Sequence, residues 1–516
     1  MIPFGLSFRR VALSVIALPL FLAACGVATW APTLYPADEG LPRDVGSDRW
    51  LKVHMFSGDV YVLESWEEPG QSENLKGAGV LFGPSREVGT ELVVDIPRDS
   101  IALLETNDRD VVGEFAITGL SVFTTLNAAV TIACLADPKS CFGSCPTFYA
   151  SEDDDRPLAE GFSSSFARAL EERDIDRTGL IAAPGTFSLV MRNEAQETHA
   201  VRHVRLLGAP VLDGSTVLLS NEGSLVRATA TEMPLTCSTA NGSCLSQVEK
   251  RDDVEYAPTT DVEDLATREE MRLSFGPVSG RVGLVLSARH SFVTTYVFYQ
   301  SLAYAGARTG DLLASLERGE PGLSERVLGV AEELGGIEVW VRERGGAWRV
   351  TGTFDEAGPI AADQQVVDLG VFGGAEIEVE LRMAQGNWRI DEVGLALLEG
   401  AVEPWVIDVD SVTSLAGTAP DVAHRLLDPE SYLVTTQGDG YQLWFTIPEG
   451  GDHRLFLDSQ GYYYEWMREG WLVEENALRA ASVLTRPRDA LRSMAPGFKE
   501  IEPEMEQLFW SSRFRR

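Results

Sequence analysis

Short runs of alternating apolar and polar residues, cut by Gly-, Asn- and Asp-bearing turns, recur from residue 49 almost to the C-terminus. A period of two places one row of side chains on a buried face, so this pattern confines most of the chain to β structure. Between 49 and 107 the runs Trp50–Phe56, Val60–Trp66, Gly77–Phe82, Glu91–Ile96 and Ser100–Glu105 predict a small barrel-like β unit over 49–110. A β-rich domain is expected over 137–300, with a long acidic loop at Glu249–Asp264. Ser291–Tyr304 mixes β-branched and aromatic residues before reading as helix through Leu316, and a helical connector is expected over 301–330. Runs at Ile337–Arg342, Trp348–Phe354, Gln365–Leu369, Ala375–Arg382 and Trp388–Leu397 predict a β-sandwich over 331–410. A hairpin around Gly438-Asp439-Gly440, followed by helices at Glu474–Leu484, Pro487–Met494 and Pro503–Phe514, predicts an α+β C-terminal domain over 425–516. The fold class expected is mainly β and multidomain.

Charge narrows the partners. The chain of 516 residues carries a formal net charge of −35, with only five lysines, and its acids are spread along its whole length. Such a surface repels nucleic acid and anionic lipid, so no nucleic-acid partner is expected. An apolar fraction of 44% allows sizeable cores. Phe115–Ala136 has no charge, and the segment 111–136 is expected to be a buried or membrane-resting helical hairpin.

The N-terminus carries an address. Arg9 and Arg10 precede an apolar run from Val11 to Ala24, which ends in Leu22-Ala23-Ala24-Cys25. This arrangement resembles a bacterial lipoprotein signal peptide with its lipobox. The resemblance implies a signal peptide over 1–24, lipidation of Cys25 and a tethering linker over 25–48. It further implies a lipid-anchored protein of the bacterial cell envelope. Gly26 follows the cysteine and favours the outer membrane. The partners this implies are the membrane, through the N-terminal lipid, and an envelope protein.

Five cysteines follow Cys25, in a compartment where thiols pair. Cys237 and Cys244 flank a turn at Asn241-Gly242 and are expected to form a disulfide. Cys141 and Cys145 are a second candidate pair. Cys134–Cys141 is the competing pairing. The run Cys141-Phe142-Gly143-Ser144-Cys145-Pro146 resembles the copper-binding loop of Sco-type proteins, in which two thiolates hold Cu(I). Here an acidic stretch from Glu152 to Pro157 follows the motif and does not continue a helix. Residues 141–207 also resemble a group of uncharacterised exported bacterial proteins. The resemblance rests on Cys145-Pro146-Thr147-Phe148-Tyr149, Ala159-Glu160-Gly161-Phe162, Phe187–Arg192 and Asn193-Glu194-Ala195-Gln196-Glu197-Thr198. It implies a fold and a location and brings no activity.

His199 and His203, four apart, are read as sharing one face, which makes them candidate metal ligands beside Cys141 and Cys145. Two partly exposed histidines on a strand are the plainer reading. Phosphate loops, His-Glu-x-x-His and the Gly-x-Ser-x-Gly elbow are missing from the sequence, and no catalytic residue and no cofactor are assigned. Asp408-Val409-Asp410 reads as alternating acids on an exposed strand in preference to a Ca²⁺ pair. Tyr462–Tyr464, Trp466, Trp471, Phe509 and Trp510 read as core in preference to a binding platform. The function expected is structural, interaction or ligand binding, with no catalytic activity evident. A metal-binding or thiol-redox protein is the first alternative and an envelope hydrolase the second.

Overall fold

The computed structural model describes residues 28–36, 51–111 and 145–513, apart from 56–58, 68–73, 83–89, 230–231, 356–357, 418–421, 466–473 and the single residues 155, 196 and 318. The signal segment 1–24, Cys25, Cys134, Cys141, Trp466, Trp471 and the uncharged stretch 115–136 lie outside the described residues. The fold is mainly β, built from four sheets with a group of helices. No helix among the described residues is long and apolar enough to cross a membrane.

The N-terminal strands form one six-stranded antiparallel sheet in the order 28–36, 101–111, 51–55, 60–67, 75–82, 90–96. Leu51, Leu63, Leu75, Ile96 and Ile101 share one core although they sit on strands spread across the sheet, so the sheet is rolled. Ala28–Pro36, expected within a linker, is instead an edge strand paired with Ile101–Val111. Pro32 and Pro36 are compatible with that edge position, where one row of backbone N–H groups is not needed for pairing.

The second unit is a two-sheet sandwich assembled from both ends of the remaining chain. Gly185–Arg192 pairs along its whole length with Gly440–Ile447. Glu197–Pro210 pairs with His453–Glu465, which in turn pairs with Glu172–Ala182. Phe148, Leu189, Val201, Leu206, Phe445 and Leu457 come from both sheets and fill one shared core. The stretches 137–300 and 425–516, read from the sequence as separate segments, are therefore joined strand to strand.

Residues 215–401 are inserted between the two halves of this sandwich. Their strands form a nine-stranded sheet in which Arg268–His290, Trp388–Ala401, Leu225–Thr229, Ser215–Ser220 and Asp363–Ala384 close on themselves as a small barrel. Each of the five contributes one plug to the interior: Val285, Ala396, Ala228, Leu218 and Val366. The strands expected as a separate sandwich over 331–410 belong to this sheet. The sequence divides Arg268–His290 and Asp363–Ala384 into shorter runs because register shifts at Phe275/Pro277, Val278/Ser279 and Val282/Gly283 break the alternation. Leu207, Ala209 and Phe456 of the sandwich pack on Val217, Leu219 and Leu225 of the barrel.

The helices follow the same insert and the C-terminus. Phe292–Ala305 is helical from its first residue, despite its β-branched start, because Ser291 Oγ accepts from the Val293 N–H at 3.2 Å and caps it. Thr309–Glu317, Leu323–Leu334 and Ala477–Thr485 pack around it, the last capped by Asn476. Pro487–Arg513 is one helix carrying Pro496 and Pro503, where two helices were expected.

Candidate functional site

The four helices leave a cavity of about 260 Å³ over one end of the sandwich. Its walls are apolar: Val297 and Leu302, Leu312 and Leu316, Val327, and Val483 represent the four helices. The Phe292–Ala305 helix contains no charged residue, unusual in so acidic a chain, because its sides face either core or cavity.

The floor is polar. Cys145, Glu160, Ser163 and Tyr463 come from the sandwich and His290 from the barrel rim. Tyr463 Oη donates to the Ser163 carbonyl at 3.1 Å, and the Ile360 N–H donates to Glu160 Oε2 at 3.0 Å. Gly358 has φ +117°, and a Cβ there would lie 2.6 Å from Glu160 Oε2, so only glycine lets this loop reach the carboxylate. Burial, then the Glu197 and Glu160 carboxylates, push the Cys145 thiol well above its ordinary value. Burial and the neighbouring Cys145, Glu197 and Glu465 do the same to Tyr463. Both groups therefore stay protonated at neutral pH. Burial pushes His290 down to about 4, so its ring is neutral. The Gly358 N–H donates to His290 Nδ1 at 3.4 Å, which places the ring proton on Nε2.

The residues singled out from the sequence fall as follows. Cys237 and Cys244 form the expected disulfide, on a hairpin that pairs Ser238 with Ser243. Cys145 is a free buried thiol, and its candidate partner Cys141, like the competing Cys134, lies outside the described residues. His199 and His203 do not share a face. A β-bulge between Val201 and His203 inserts one step, which turns His199 toward the inner core beside Val201 and His203 toward the barrel side. His199 Nε2 is bonded to Glu197 Oε1 at 2.9 Å, and His203 Nε2 to Asp458 Oδ1 at 3.0 Å. Among the described residues no group of three or more His, Cys, Asp or Glu is placed to hold a metal ion. Asp408 pairs with Arg205, and Asp410 accepts from Thr446 Oγ1 at 2.7 Å. Tyr462 and Tyr463 are buried on their strand, and Trp340 and Trp348 lie under the guanidinium groups of Arg382 and Arg342. Cys145 and Glu160 fell within the segments of the family resemblance, which assigned them no role, while Ser163 and His290 carried no motif; the absence of charge from 292–305 is a sequence signal that could have pointed to the cavity wall.

No family model matches the chain, and no curated protein matches it. Among solved structures, the secreted serine protease VesC from Vibrio cholerae is similar at 10% identity and a TM-score of 0.11, over 74% of this chain and 98% of that one. At that TM-score the likeness carries no argument.

Proposed function

We propose that this chain is a lipid-anchored protein of the bacterial cell envelope, held at the outer membrane, and that its body binds a ligand with an apolar chain in the helix-lined cavity. The Leu22-Ala23-Ala24-Cys25 pattern supports the anchor. The observation that carries the binding role is the cavity itself, about 260 Å³ walled by aliphatic side chains. A dry apolar cavity of about 150 Å³ already admits a benzene ring, so this one has room for a longer chain. The floor favours binding over hydrolysis. A protonated Cys145 is a poor nucleophile, and a His290 that carries its proton on Nε2 offers no base at that edge.

The test is titration of the purified protein with N-phenyl-1-naphthylamine, which brightens in apolar surroundings. One saturable site is expected. Leu312→Trp, which fills the cavity from one wall, should weaken it by at least about tenfold, since each displaced methylene of contact is worth ~0.8 kcal/mol. Undiminished binding in a folded Leu312→Trp protein would remove the proposal. Palmitate labelling that survives Cys25→Ser would remove the anchor.

A further inference from the structure

The polar groups that line the helix-walled cavity are not equally committed. The hydroxyls of Thr294, Tyr299, Ser301 and Tyr463 all donate within the protein, to Asn387 Oδ1, Glu465 Oε1 and the carbonyls of Val297 and Ser163, at 2.6–3.1 Å. His290 differs. Its backbone N–H donates to the Gly358 carbonyl at 3.0 Å, and the Gly358 N–H returns a bond to Nδ1 at 3.4 Å. Trp388 lies against the ring, with centroids 4.1 Å apart. Position and tautomer are fixed together, with the ring proton on Nε2. That Nε2–H has no hydrogen-bond partner among the described residues. The ring lies deep enough for burial alone to bring it to about 4, yet part of its surface stays open, and the space it lines is the cavity. A donor held in an apolar space without an acceptor is costly, and a ligand that supplies the acceptor recovers that cost.

We propose that the ligand of this cavity is an uncharged acyl compound, an ester or amide whose carbonyl oxygen accepts from His290 Nε2 while its hydrocarbon chain lies among the four helices. This rests on the binding role proposed above and adds the class of ligand. Charge and hydrogen-bond type both select for it. Among the described residues lining the cavity there is no Lys or Arg. An anionic head would lose its hydration there and find no cation to replace it. An ammonium head has donors only, and would set them against an open group that is itself a donor. The one carboxyl group in the lining, Glu160, is 4% exposed, and its Oε2 already accepts from the Ile360 N–H. A carbonyl accepts the Nε2–H and brings no charge to desolvate. His290 thus sets which polar group the cavity takes, while the helices set the room for the chain.

The experiment is displacement of bound N-phenyl-1-naphthylamine from the purified protein at neutral pH. The competitors are methyl decanoate, decanoate and decylammonium, each below its micelle concentration. The ester is expected to displace the dye at a concentration at least about tenfold lower than either ion, because neither ion is compensated for its lost hydration. His290→Phe keeps a ring against Trp388 and removes the donor. It should cut the preference for the ester over decylammonium by about fivefold, the worth of one neutral hydrogen bond. The preference is read as a ratio within each protein, so a general loss of binding cancels. His290→Gln, which returns an amide donor, should restore part of that ratio. Equal displacement by all three, tightest binding of either ion, or a ratio unmoved by His290→Phe overturns the carbonyl site and leaves the apolar cavity in place. A parent protein that binds no dye removes the cavity as a ligand site, and the inference with it.

Discussion

At the scale of single residues, two positions carry more of the fold than their neighbours. Gly283 lies in the barrel wall, and a Cβ built there would come within 2.4 Å of Val366 Cγ2 and 3.0 Å of Leu398 Cδ2. The plugs Val285, Ala396 and Val366 leave no room for it to relax. Gly283→Val is expected to cost ~1–3 kcal/mol by overpacking, read as a lower urea midpoint. Asp458 is the second position. Its side chain is 2% exposed and accepts from both Arg173 and His203. Burial alone would raise its pKa, but those two partners hold it below the ordinary aspartate value. Its folded pKa is thus lower than its unfolded one. The carboxylate stabilises the fold above about pH 4, and that contribution is lost as pH falls through the folded value. Asp458→Ala should cost about 3 kcal/mol at pH 7, in the range for breaking a buried charge pair, and less at pH 2. Equal losses at both pH values would show that the ion pair is not the cause.

Elements were legible where their cause is local. The Cys237–Cys244 hairpin follows from a turn dipeptide between two cysteines, and its disulfide sits in the largest core beside Met271 and Leu273. Replacing both cysteines with alanine should cost about 2–4 kcal/mol, the usual range for removing a native bridge, and scanning calorimetry under reducing conditions should leave the variant unchanged while lowering the parent toward it. The helix at Ala477–Thr485 and the strand at Ile337–Glu343 were also readable from pattern alone. What escaped the sequence were interruptions. The bulge after Val201 separates His199 from His203, and the register shifts along Arg268–His290 make one strand of 23 residues look like two. A bulge is set by the partner strand, so a single-strand pattern carries little trace of it. The candidate site was less legible still, because its floor brings Cys145 and Glu160 together with His290 and Tyr463, each more than 100 residues further along the chain, and no spacing rule joins them.

At the scale of the whole molecule, the junction between sandwich and insert sets the pH response. Asp174, whose carboxylate accepts from the Phe162 N–H at 2.8 Å, is pushed up to about 7 by burial, with a further push from Asp363, itself raised by burial. Its folded pKa lies above the unfolded value of 3.8, so the unfolded chain releases that proton first and stability falls as pH rises from about 4 to 7. Asp174→Asn keeps an acceptor for Phe162 and removes the titration. The variant should gain stability over the parent progressively across that window, and a constant difference between pH 4 and 7 would contradict the assignment. The nesting has its own test. A chain ending at residue 404 lacks Gly440–Ile447 and His453–Glu465, so hydrogen exchange should find no protection in 185–210, while the barrel strands at 268–290 and 363–384 stay protected.

The same nesting sets a timetable. Gly185–Arg192 is synthesised about 250 residues before the strand that covers it, and at ~5–20 residues per second that is a wait of roughly 12–50 s. During this interval the barrel segment between them can close on itself, because all five of its strands lie within 215–401. The first half of the sandwich meanwhile keeps open strand edges, the surface on which chains join wrongly. The sandwich is thus begun before the barrel and finished after it, and a holdase that masks residues 172–210 until the C-terminus arrives should raise the yield of folded protein more than one that acts on the barrel.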